Sequence, residues 1–192
     1  MTATSRAVCS SCRYPISTCV CDAIQLLDSA VRISILQHPS EQKHAKNTAR
    51  LLPLLLPKAE LTVGEIPTDF SAVQAHTGRV KNTIVLYPTE HAQALESWAE
   101  TNDTPQHIIV LDGTWRKARK LWLSNPWLHE LPCVAITPAH PSQYKIRKAP
   151  REDSLSTLEA VAHALAKLED IDTAPFTQIL SKLQSHWRGP TT

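Results

Sequence analysis

Short apolar runs and longer amphipathic stripes alternate along this chain. The run from Ile108 to Leu111 is continuous, as expected of a strand that is buried on both faces of a parallel sheet. Elsewhere apolar residues recur every three or four positions, the period of a helix with one buried face. Strands that alternate with helices predict an α/β fold with a mostly parallel sheet and flanking helices. We predict strands over residues 31–37, 61–66, 83–87, 108–111 and 134–137, helices over 41–52, 90–100, from 114 onward, 156–168 and 176–187, and a helical turn over 70–76.

The most informative position is Asp112, which directly follows the continuous apolar run of residues 108–111. Gly113 permits a tight turn after it, and Trp115 opens a stripe of helical spacing. Asp112 is therefore predicted at the carboxyl end of a buried strand, where open α/β sheets form their ligand crevices. The alternative is that Asp112 or Thr114 only caps the helix that follows.

Polar residues also follow two other predicted strands, in the segments Gln37–Glu41 and Leu86–Glu90. Because the carboxyl ends of parallel strands share one edge of a sheet, both segments are expected to converge with Asp112. Each has a structural alternative, since the proline in it suits the first turn of a helix. His38, taken alone, is more often a hydrogen-bonded structural residue than a catalyst.

Four of the five cysteines lie near the N-terminus, in the pattern C-x2-C-x6-C-x-C. In a reducing compartment such clustering favours metal ligation over disulfides, and four thiolates suit a structural zinc ion with no open position for catalysis. The alternative is a set of four unligated thiols. Cys133 stands apart and is predicted to be a small buried hydrophobic residue. We predict a metal-binding module over residues 1–24 and a catalytic domain over 25–192; the metal ligands would be Cys9, Cys12, Cys19 and Cys21.

The net charge is only +2, so nothing in the overall composition demands a nucleic-acid partner. The cations are clustered, however, after Asp112 and in the long polar segment 138–154, just before a helix start that offers backbone N–H groups to an anion. Either cluster alone would be interpreted as an ordinary solvent-exposed basic surface. The two together favour an RNA or nucleotide partner. The predicted RNA-binding residues are Arg116, Lys117, Arg119, Lys120, Lys145, Arg147, Lys148 and Arg151.

No signal peptide is apparent near the N-terminus, and the most apolar stretch, Leu51–Leu56, is too short to span a membrane. We therefore expect a soluble, cytoplasmic protein. Neither a membrane nor an obligate protein partner is indicated.

Taken in order along the chain, several motifs resemble those of the DTW-domain family, which is related to the SPOUT class of knotted RNA-modifying enzymes. The resemblance covers nearly the whole chain, and although D-x-T-W alone would be weak, the ordered set is specific. The motifs are the four cysteines with Asp22, His38-Pro39-x-Glu41, Tyr87-Pro88, the D-x-T-W signature at Asp112–Trp115, Arg147-Lys148, and Leu155–Glu159.

The resemblance implies a tRNA-uridine aminocarboxypropyltransferase. Such an enzyme moves the 3-amino-3-carboxypropyl group of S-adenosylmethionine to N3 of a uridine in tRNA and releases 5′-methylthioadenosine. It also implies a SPOUT-like fold whose trefoil knot forms the cofactor pocket, although general connection rules disfavour knots. The residues then expected at the cofactor are His38, Leu86, Tyr87, Pro88, Leu111, Gly113, Thr114, Trp115, Leu155, Ser156 and Thr157.

This reaction gives chemical roles to several of the motif residues. The uridine N3–H is a weak acid that must lose its proton, and Asp112 is placed to act as the general base. An apolar pocket lined by residues such as Trp115 and Leu155 favours loss of the sulfonium charge. Ser156 and Thr157, at a helix start, would hold the methionine carboxylate.

Two other functions fit much of the same sequence. One is a methyltransferase that uses the same cofactor to modify RNA. Only the family motifs favour aminocarboxypropyl transfer over this function. The other is a zinc-containing RNA-binding protein without catalytic activity, against which the buried strand that ends at Asp112 argues.

Overall fold

The structure is a computed structural model that describes residues 7–137, 141–146 and 154–187. Within these residues, six strands form one sheet in which every pair of neighbours is parallel, in the order β2-β1-β5-β3-β6-β4. The strands are β1 (Arg32–Gln37), β2 (Ala59–Val63), β3 (Thr83–Leu86), β4 (Gln93–Ala94), β5 (His107–Asp112) and β6 (Cys133–Ala135).

Helices cover both faces of this sheet, as the alternating sequence pattern predicts. The prediction of an α/β fold with a parallel sheet and flanking helices is confirmed. The helices are α1 (Leu52–Leu55), α2 (Ser71–Thr77), α3 (Leu95–Thr101), α4 (Trp115–Ser124), α5 (Thr157–Glu169) and α6 (Ala174–Ser185).

The central strand β5 separates two apolar cores. Because successive side chains of a strand point to opposite faces, Ile108 and Val110 pack into the core under α5 and α6. Ile109 and Leu111 pack into a second core, under α2 and α4. All six residues of β5 are buried, which explains why its apolar run does not alternate.

The N-terminal segment is built into the larger core. Cys12, Tyr14 and Val20 are buried in the same cluster as residues of β1, α1, α5 and α6. Lys182 on α6 forms an ion pair with Asp22 at 2.6 Å, and His186 lies 3.2 Å from the carbonyl oxygen of Cys19. The cysteine segment is thus anchored to the last helix of the chain.

The predicted helix over residues 41–52 is wrong. Residues Pro39–Glu41 and Ala49–Leu51 form single turns of 3₁₀ helix, and α1 is only one turn long. The carbonyl oxygens of Lys46 and Asn47 accept hydrogen bonds from distant tyrosine hydroxyls instead of from the backbone of a following turn. Tertiary contacts therefore override the helical spacing of the alanines and leucines in this segment.

Among the remaining elements, two differ most clearly from their predicted limits. The segment predicted as a helix over 90–100 begins with the short edge strand β4, and α3 starts only at Leu95. The second strand lies at Ala59–Val63, two residues before the predicted start, because its pairing with β1 aligns Ala59 with Ile33.

A capping box fixes the start of α5. The Ser156 hydroxyl accepts a hydrogen bond from the backbone N–H of Glu159 at 3.3 Å, and the Glu159 carboxylate accepts one from the backbone N–H of Ser156 at 2.8 Å. The same carboxylate accepts from the hydroxyl of Ser142 and the N–H of Gln143. The helix start and the neighbouring loop are therefore fixed together.

None of the helices in the described ranges combines the length and the apolar character needed to cross a bilayer.

Candidate active site

A buried carboxylate lies where the sequence predicts it, at the carboxyl end of β5. Asp112 is only 3% exposed. Its partner in the register of the sheet is Gln37, the last residue of β1, and the Gln37 amide donates to Oδ2 of Asp112 at 2.9 Å. Asn47 donates to the same oxygen at 2.7 Å, and the hydroxyl of Thr157 donates to Oδ1 at 2.6 Å. Three separate segments thus converge on one carboxylate.

Asp112 does not cap the helix that follows it. The residue at the N-cap of α4 is Thr114, and its side chain makes no capping hydrogen bond. The turn between them needs glycine, because a Cβ at Gly113 would lie 2.9 Å from the Cβ of Lys117. The capping alternative for Asp112 is therefore wrong, and its carboxylate is engaged in the network just described.

A cavity of about 160 Å³ opens next to this network. Leucine, valine, isoleucine and alanine side chains form much of its wall, and hydroxyl groups from the start of α5 lie at one side. Of the residues predicted at the cofactor, nine line it: Leu86, Tyr87, Pro88, Leu111, Gly113, Trp115, Leu155, Ser156 and Thr157. Sequence reasoning missed a further eight: Val110, Ala118, Val134, Ile136, Ser142, Tyr144, Ser154 and Ala160.

Two residues predicted at the cofactor, His38 and Thr114, do not line the cavity. The ring of His38 lies 2.9 Å from the hydroxyl of Ser40 and 3.1 Å from the carboxylate of Glu65. These contacts agree with the structural alternative for His38. The side chain of Thr114 is exposed on the turn before α4.

Trp115 forms part of the cavity wall and is also 48% exposed. Its indole N–H donates to the hydroxyl of Ser154 at 3.4 Å. A large aromatic ring with one face toward the cavity and another toward solvent can stack on a planar group that enters. Tyr87, a second wall residue, stacks on Trp122 with 5.3 Å between the ring centroids.

The basic residues of α4 divide into two pairs. Lys117 forms an ion pair with Glu41 and Lys120 with Glu65, each at 2.7 Å. Arg116 and Arg119 are exposed, and the described residues offer neither of them an acidic partner. Lys145 is exposed on the loop before α5, whereas Arg147, Lys148 and Arg151 lie outside the described residues.

The four N-terminal cysteines form a cluster that could hold a metal ion. Their Sγ atoms all lie within 4.8 Å of one another, with Cys9 and Cys21 separated by 3.5 Å and Cys12 and Cys19 by 3.7 Å. A tetrahedral site with metal–sulfur bonds of about 2.3 Å requires sulfur atoms about 3.8 Å apart, so the spacing fits.

Electrostatics also favour a cation among these sulfur atoms. The backbone N–H groups of Cys12 and Ser11 lower the pKa of the Cys9 thiol to about 6. The side chains of Cys19 and Cys9 raise the pKa of the Cys21 thiol to about 12. One thiolate therefore forms readily, while further ionisation of the cluster requires positive charge nearby.

The cysteine segment contacts the loop that carries Asn47. The hydroxyl of Tyr14 donates to the carbonyl oxygen of Asn47 at 3.3 Å. Arg50 stacks on the ring of Tyr14, with 3.9 Å from its Cζ to the ring centroid, and donates to the carbonyl oxygen of Arg13 at 2.8 Å. The cysteine cluster and the buried carboxylate are therefore joined through one loop.

Sequence comparison relates the chain to a known protein family. The sequence profile of the DTW domain matches residues 6–188, almost the whole chain. This chain belongs to the DTW domain family. The D-x-T-W turn, Asp112–Trp115, supplies the carboxylate of the network and two residues of the cavity wall, Gly113 and Trp115.

Two curated relatives carry the name tRNA-uridine aminocarboxypropyltransferase 2. The protein from Drosophila melanogaster is 34% identical over 171 residues, which cover 85% of this chain and 67% of the relative. The protein from Macaca fascicularis is 33% identical over 174 residues, which cover 85% of this chain and 57% of the relative. This DTW domain therefore spans little more than half to two thirds of the length of these relatives.

A solved structure, the SAM-dependent rRNA:acp-transferase Tsr3 from Vulcanisaeta distributa, aligns with 83% of this chain and 74% of its own. The sequence identity is 18% and the TM-score 0.44, a likeness too weak to establish a common fold.

Gln37 lies in a segment that the sequence predicts to converge with Asp112, whereas Asn47 is the partner of Asp112 that the sequence does not predict. Gln37 carries a usable signal, because it ends a predicted strand that pairs with the strand of Asp112 in a parallel sheet. Asn47 carries none, since it lies 65 residues before Asp112 in a segment whose spacing predicts a helix.

Proposed function

We propose that this DTW domain transfers the 3-amino-3-carboxypropyl group of S-adenosylmethionine to N3 of a uridine in tRNA. The observation that carries the proposal is the identity of 34% with a relative named for this activity, over 85% of the chain. The cavity that the D-x-T-W turn forms beside a buried carboxylate supports it, because the reaction needs a closed site with a proton acceptor.

The cavity suits a sulfonium co-substrate. The positive charge on sulfur disappears during the reaction, so a wall of apolar side chains such as Leu86, Leu111 and Leu155 favours the transition state over the charged reactant. Attack must occur at the methionine Cγ and not at the methyl group, which makes orientation of the donor the main task of the site.

The start of α5 is the proposed anchor for the methionine carboxylate. Ser156 and Thr157 line the cavity at the N-terminus of a 13-residue helix. The backbone N–H groups and the dipole of this helix favour an anion, whereas the Thr157 hydroxyl is already donated to Asp112. The capping box fixes this end of the helix, so the anchor is rigid before the co-substrate binds.

We also propose that Cys9, Cys12, Cys19 and Cys21 hold zinc. Four sulfur ligands at tetrahedral spacing suit zinc and leave no open coordination position, so the ion would stabilise the fold without taking part in the chemistry.

The proposed tRNA surface includes the exposed cations beside the cavity. Arg116, Arg119 and Lys145 are exposed there, and Lys117, Lys120, Arg147, Lys148 and Arg151 complete the predicted set. Binding of a polyanion through such a local patch agrees with the net charge of only +2.

Two further expectations from the family resemblance are part of this proposal. One is a trefoil knot around the cavity, which a crystal structure of the domain would test. The other is a cytoplasmic location, which cell fractionation would test.

Product analysis tests the proposed activity against its rival. Aminocarboxypropyl transfer converts S-adenosylmethionine into 5′-methylthioadenosine, whereas a methyltransferase would release S-adenosylhomocysteine. Chromatography of the small molecules formed with tRNA and protein should show methylthioadenosine in a tRNA-dependent amount. Adenosylhomocysteine in its place would contradict the proposal, and the absence of both products would favour the non-catalytic RNA-binding alternative.

A further inference from the structure

The two oxygens of the Asp112 carboxylate have chemically different partners. Oδ2 accepts hydrogen bonds from the side-chain amides of Gln37 and Asn47, at 2.9 and 2.7 Å. Oδ1 accepts from the hydroxyl of Thr157, at 2.6 Å. An amide NH₂ group can only donate, whereas a hydroxyl both donates and accepts. A proton can therefore reach the carboxylate through the hydroxyl at Oδ1, but not through the amides at Oδ2.

The amide side of the carboxylate is fixed in place. The Asn47 side-chain oxygen accepts from the backbone N–H of Arg50 at 3.2 Å, which turns the amide nitrogen toward Asp112. Both Gln37 and Asn47 are buried. Two donors on Oδ2 stabilise the negative charge and prevent rotation of the carboxyl group, so Oδ1 stays directed at Thr157.

Thr157 connects this carboxylate to the cavity. Thr157 lines the cavity wall, whereas Asp112 is 3% exposed and is not one of the wall residues. With its own proton donated to Asp112, the Thr157 hydroxyl presents lone pairs in its other directions. Such an oxygen accepts an N–H and repels a carboxylate, so the Thr157 side chain is suited to the uridine N3–H and not to the methionine carboxylate.

We propose that Thr157 is a catalytic residue that passes the uridine N3 proton to Asp112; this inference rests on the proposed function. N3 attacks Cγ of the methionine moiety, and the Cγ–S bond breaks with its electron pair moving to sulfur, which becomes the neutral thioether of methylthioadenosine. The N3 proton moves to Oγ1 of Thr157 while the hydroxyl proton of Thr157 moves to Oδ1 of Asp112. The carboxylic acid formed returns its proton to solvent when the products leave.

Single-turnover transfer measured with Thr157→Val tests the relay. Valine keeps the shape of threonine but removes the hydroxyl, so transfer should slow by about 10²–10⁴-fold, the usual contribution of general-base assistance. The dissociation constant of S-adenosylmethionine, measured by calorimetry, should change by less than about twofold, because the relay acts only in the transition state. Thr157→Ser restores the hydroxyl and should restore most of the rate.

A double variant separates a relay from two independent roles. If Thr157 and Asp112 act as one unit, Thr157→Val combined with Asp112→Asn should be no slower than the slower single variant. Thr104→Val is a matched control, because Thr104 also donates its hydroxyl, to the carbonyl oxygen of Leu168 at 3.1 Å, next to the opposite ends of β5 and α5. It should transfer at the wild-type rate. If Thr157→Val fails to fold by circular dichroism, Thr157→Ala removes the same hydroxyl.

Three results would overturn the relay while wild-type transfer stands. The first is a transfer rate near that of the wild type in the variant without the Thr157 hydroxyl. The second is an affinity for S-adenosylmethionine that falls in proportion to the transfer rate. The third is a double variant in which the rate losses of the two single variants multiply. A wild-type protein that binds S-adenosylmethionine and tRNA but forms no aminocarboxypropyl uridine would instead contradict the proposed function, and the relay with it.

Discussion

The side-chain amide of Asn47 donates to the Asp112 carboxylate at 2.7 Å, while the backbone carbonyl of Asn47 accepts from the buried hydroxyl of Tyr14. Tyr14 follows Cys12 by two residues and packs in the core beside it. One asparagine therefore contacts both the segment of the four clustered cysteines and the carboxylate of the site. The position of Asp112 depends on this loop as much as on its own strand.

Loss of the Asn47 amide should weaken both stability and transfer. Asn47→Leu keeps the approximate size but leaves the buried carboxylate with one donor fewer on Oδ2, which costs about 1–3 kcal/mol of unfolding free energy. Urea denaturation should show this loss, and transfer should slow because only the Gln37 amide still holds Oδ2 of the carboxylate. Gln42→Leu, a change at an exposed side-chain amide in the same part of the chain, is the control. Equal stability of the two variants would show that the hydrogen bond to Asp112 contributes nothing.

Removal of metal should destabilise the whole domain, since Cys12, Tyr14 and Val20 are part of the main core. A structural zinc site contributes its binding free energy to folding. We expect a strong chelator to lower the thermal unfolding midpoint, and Cys9→Ser to do the same without chelator. Cys133→Ser, outside the cluster, should keep its response to the chelator. A midpoint that no chelator changes, in protein that contains no metal by elemental analysis, would contradict a structural metal.

The sequence predicts the position of Asp112 well because local signals agree there. A β-branched run, a glycine that tolerates a tight turn and a helical stripe are all properties of neighbouring residues. The start of α5 is predictable for the same reason, since its capping box is contained within Ser156–Glu159. Together these two local patterns locate both sides of the cavity.

The partners of Asp112 are less predictable because they depend on long-range packing. The hydrogen bond from Asn47 exists only because tyrosine hydroxyls hold the carbonyl oxygens of Lys46 and Asn47, and the same interactions replace the helix that the spacing there predicts. The ion pairs of α4 are equally hard to predict from the sequence. Glu41 and Glu65, which pair with Lys117 and Lys120, come from turns that are distant in the sequence.

Those ion pairs predict unequal roles for the α4 cations in tRNA binding. Arg116→Gln with Arg119→Gln removes two exposed charges without acidic partners among the described residues, so the slope of log affinity against log salt should fall by about one unit for each phosphate that is no longer neutralised. Lys117→Gln with Lys120→Gln should have a smaller effect, because these lysines already pair with Glu41 and Glu65. Filter binding over a salt series measures both. Unchanged slopes in both double variants would place the RNA surface elsewhere.

Acid should destabilise the protein through His107. Burial lowers the pKa of this imidazole to about 4, with smaller contributions from the charges of His76 and Arg32. In the unfolded chain the imidazole has a pKa of about 6.5. Between pH 6.5 and pH 4 the unfolded chain therefore binds more protons than the folded chain. The free energy of unfolding is highest above pH 6.5 and falls by up to about 3 kcal/mol as the pH drops to about 4.

Urea denaturation at pH 7 and pH 4.5 measures this dependence. His107→Gln should reduce the loss of stability between the two pH values, whereas His129→Gln, at an exposed histidine, should leave it unchanged. An equal loss in wild type and His107→Gln would show that other groups account for the acid sensitivity.

Aminocarboxypropyl transfer through the cavity beside Asp112 is tested most directly by mass spectrometry of nucleosides from tRNA incubated with S-adenosylmethionine and protein. The wild type should form a uridine that carries the aminocarboxypropyl group, and Asp112→Asn should form it about 10²–10⁴-fold more slowly while still binding the co-substrate. A methylated nucleoside would contradict the activity. Unmodified tRNA, in the presence of protein that binds both tRNA and S-adenosylmethionine, would contradict it as well. An Asp112→Asn variant as fast as the wild type would contradict the role of the carboxylate.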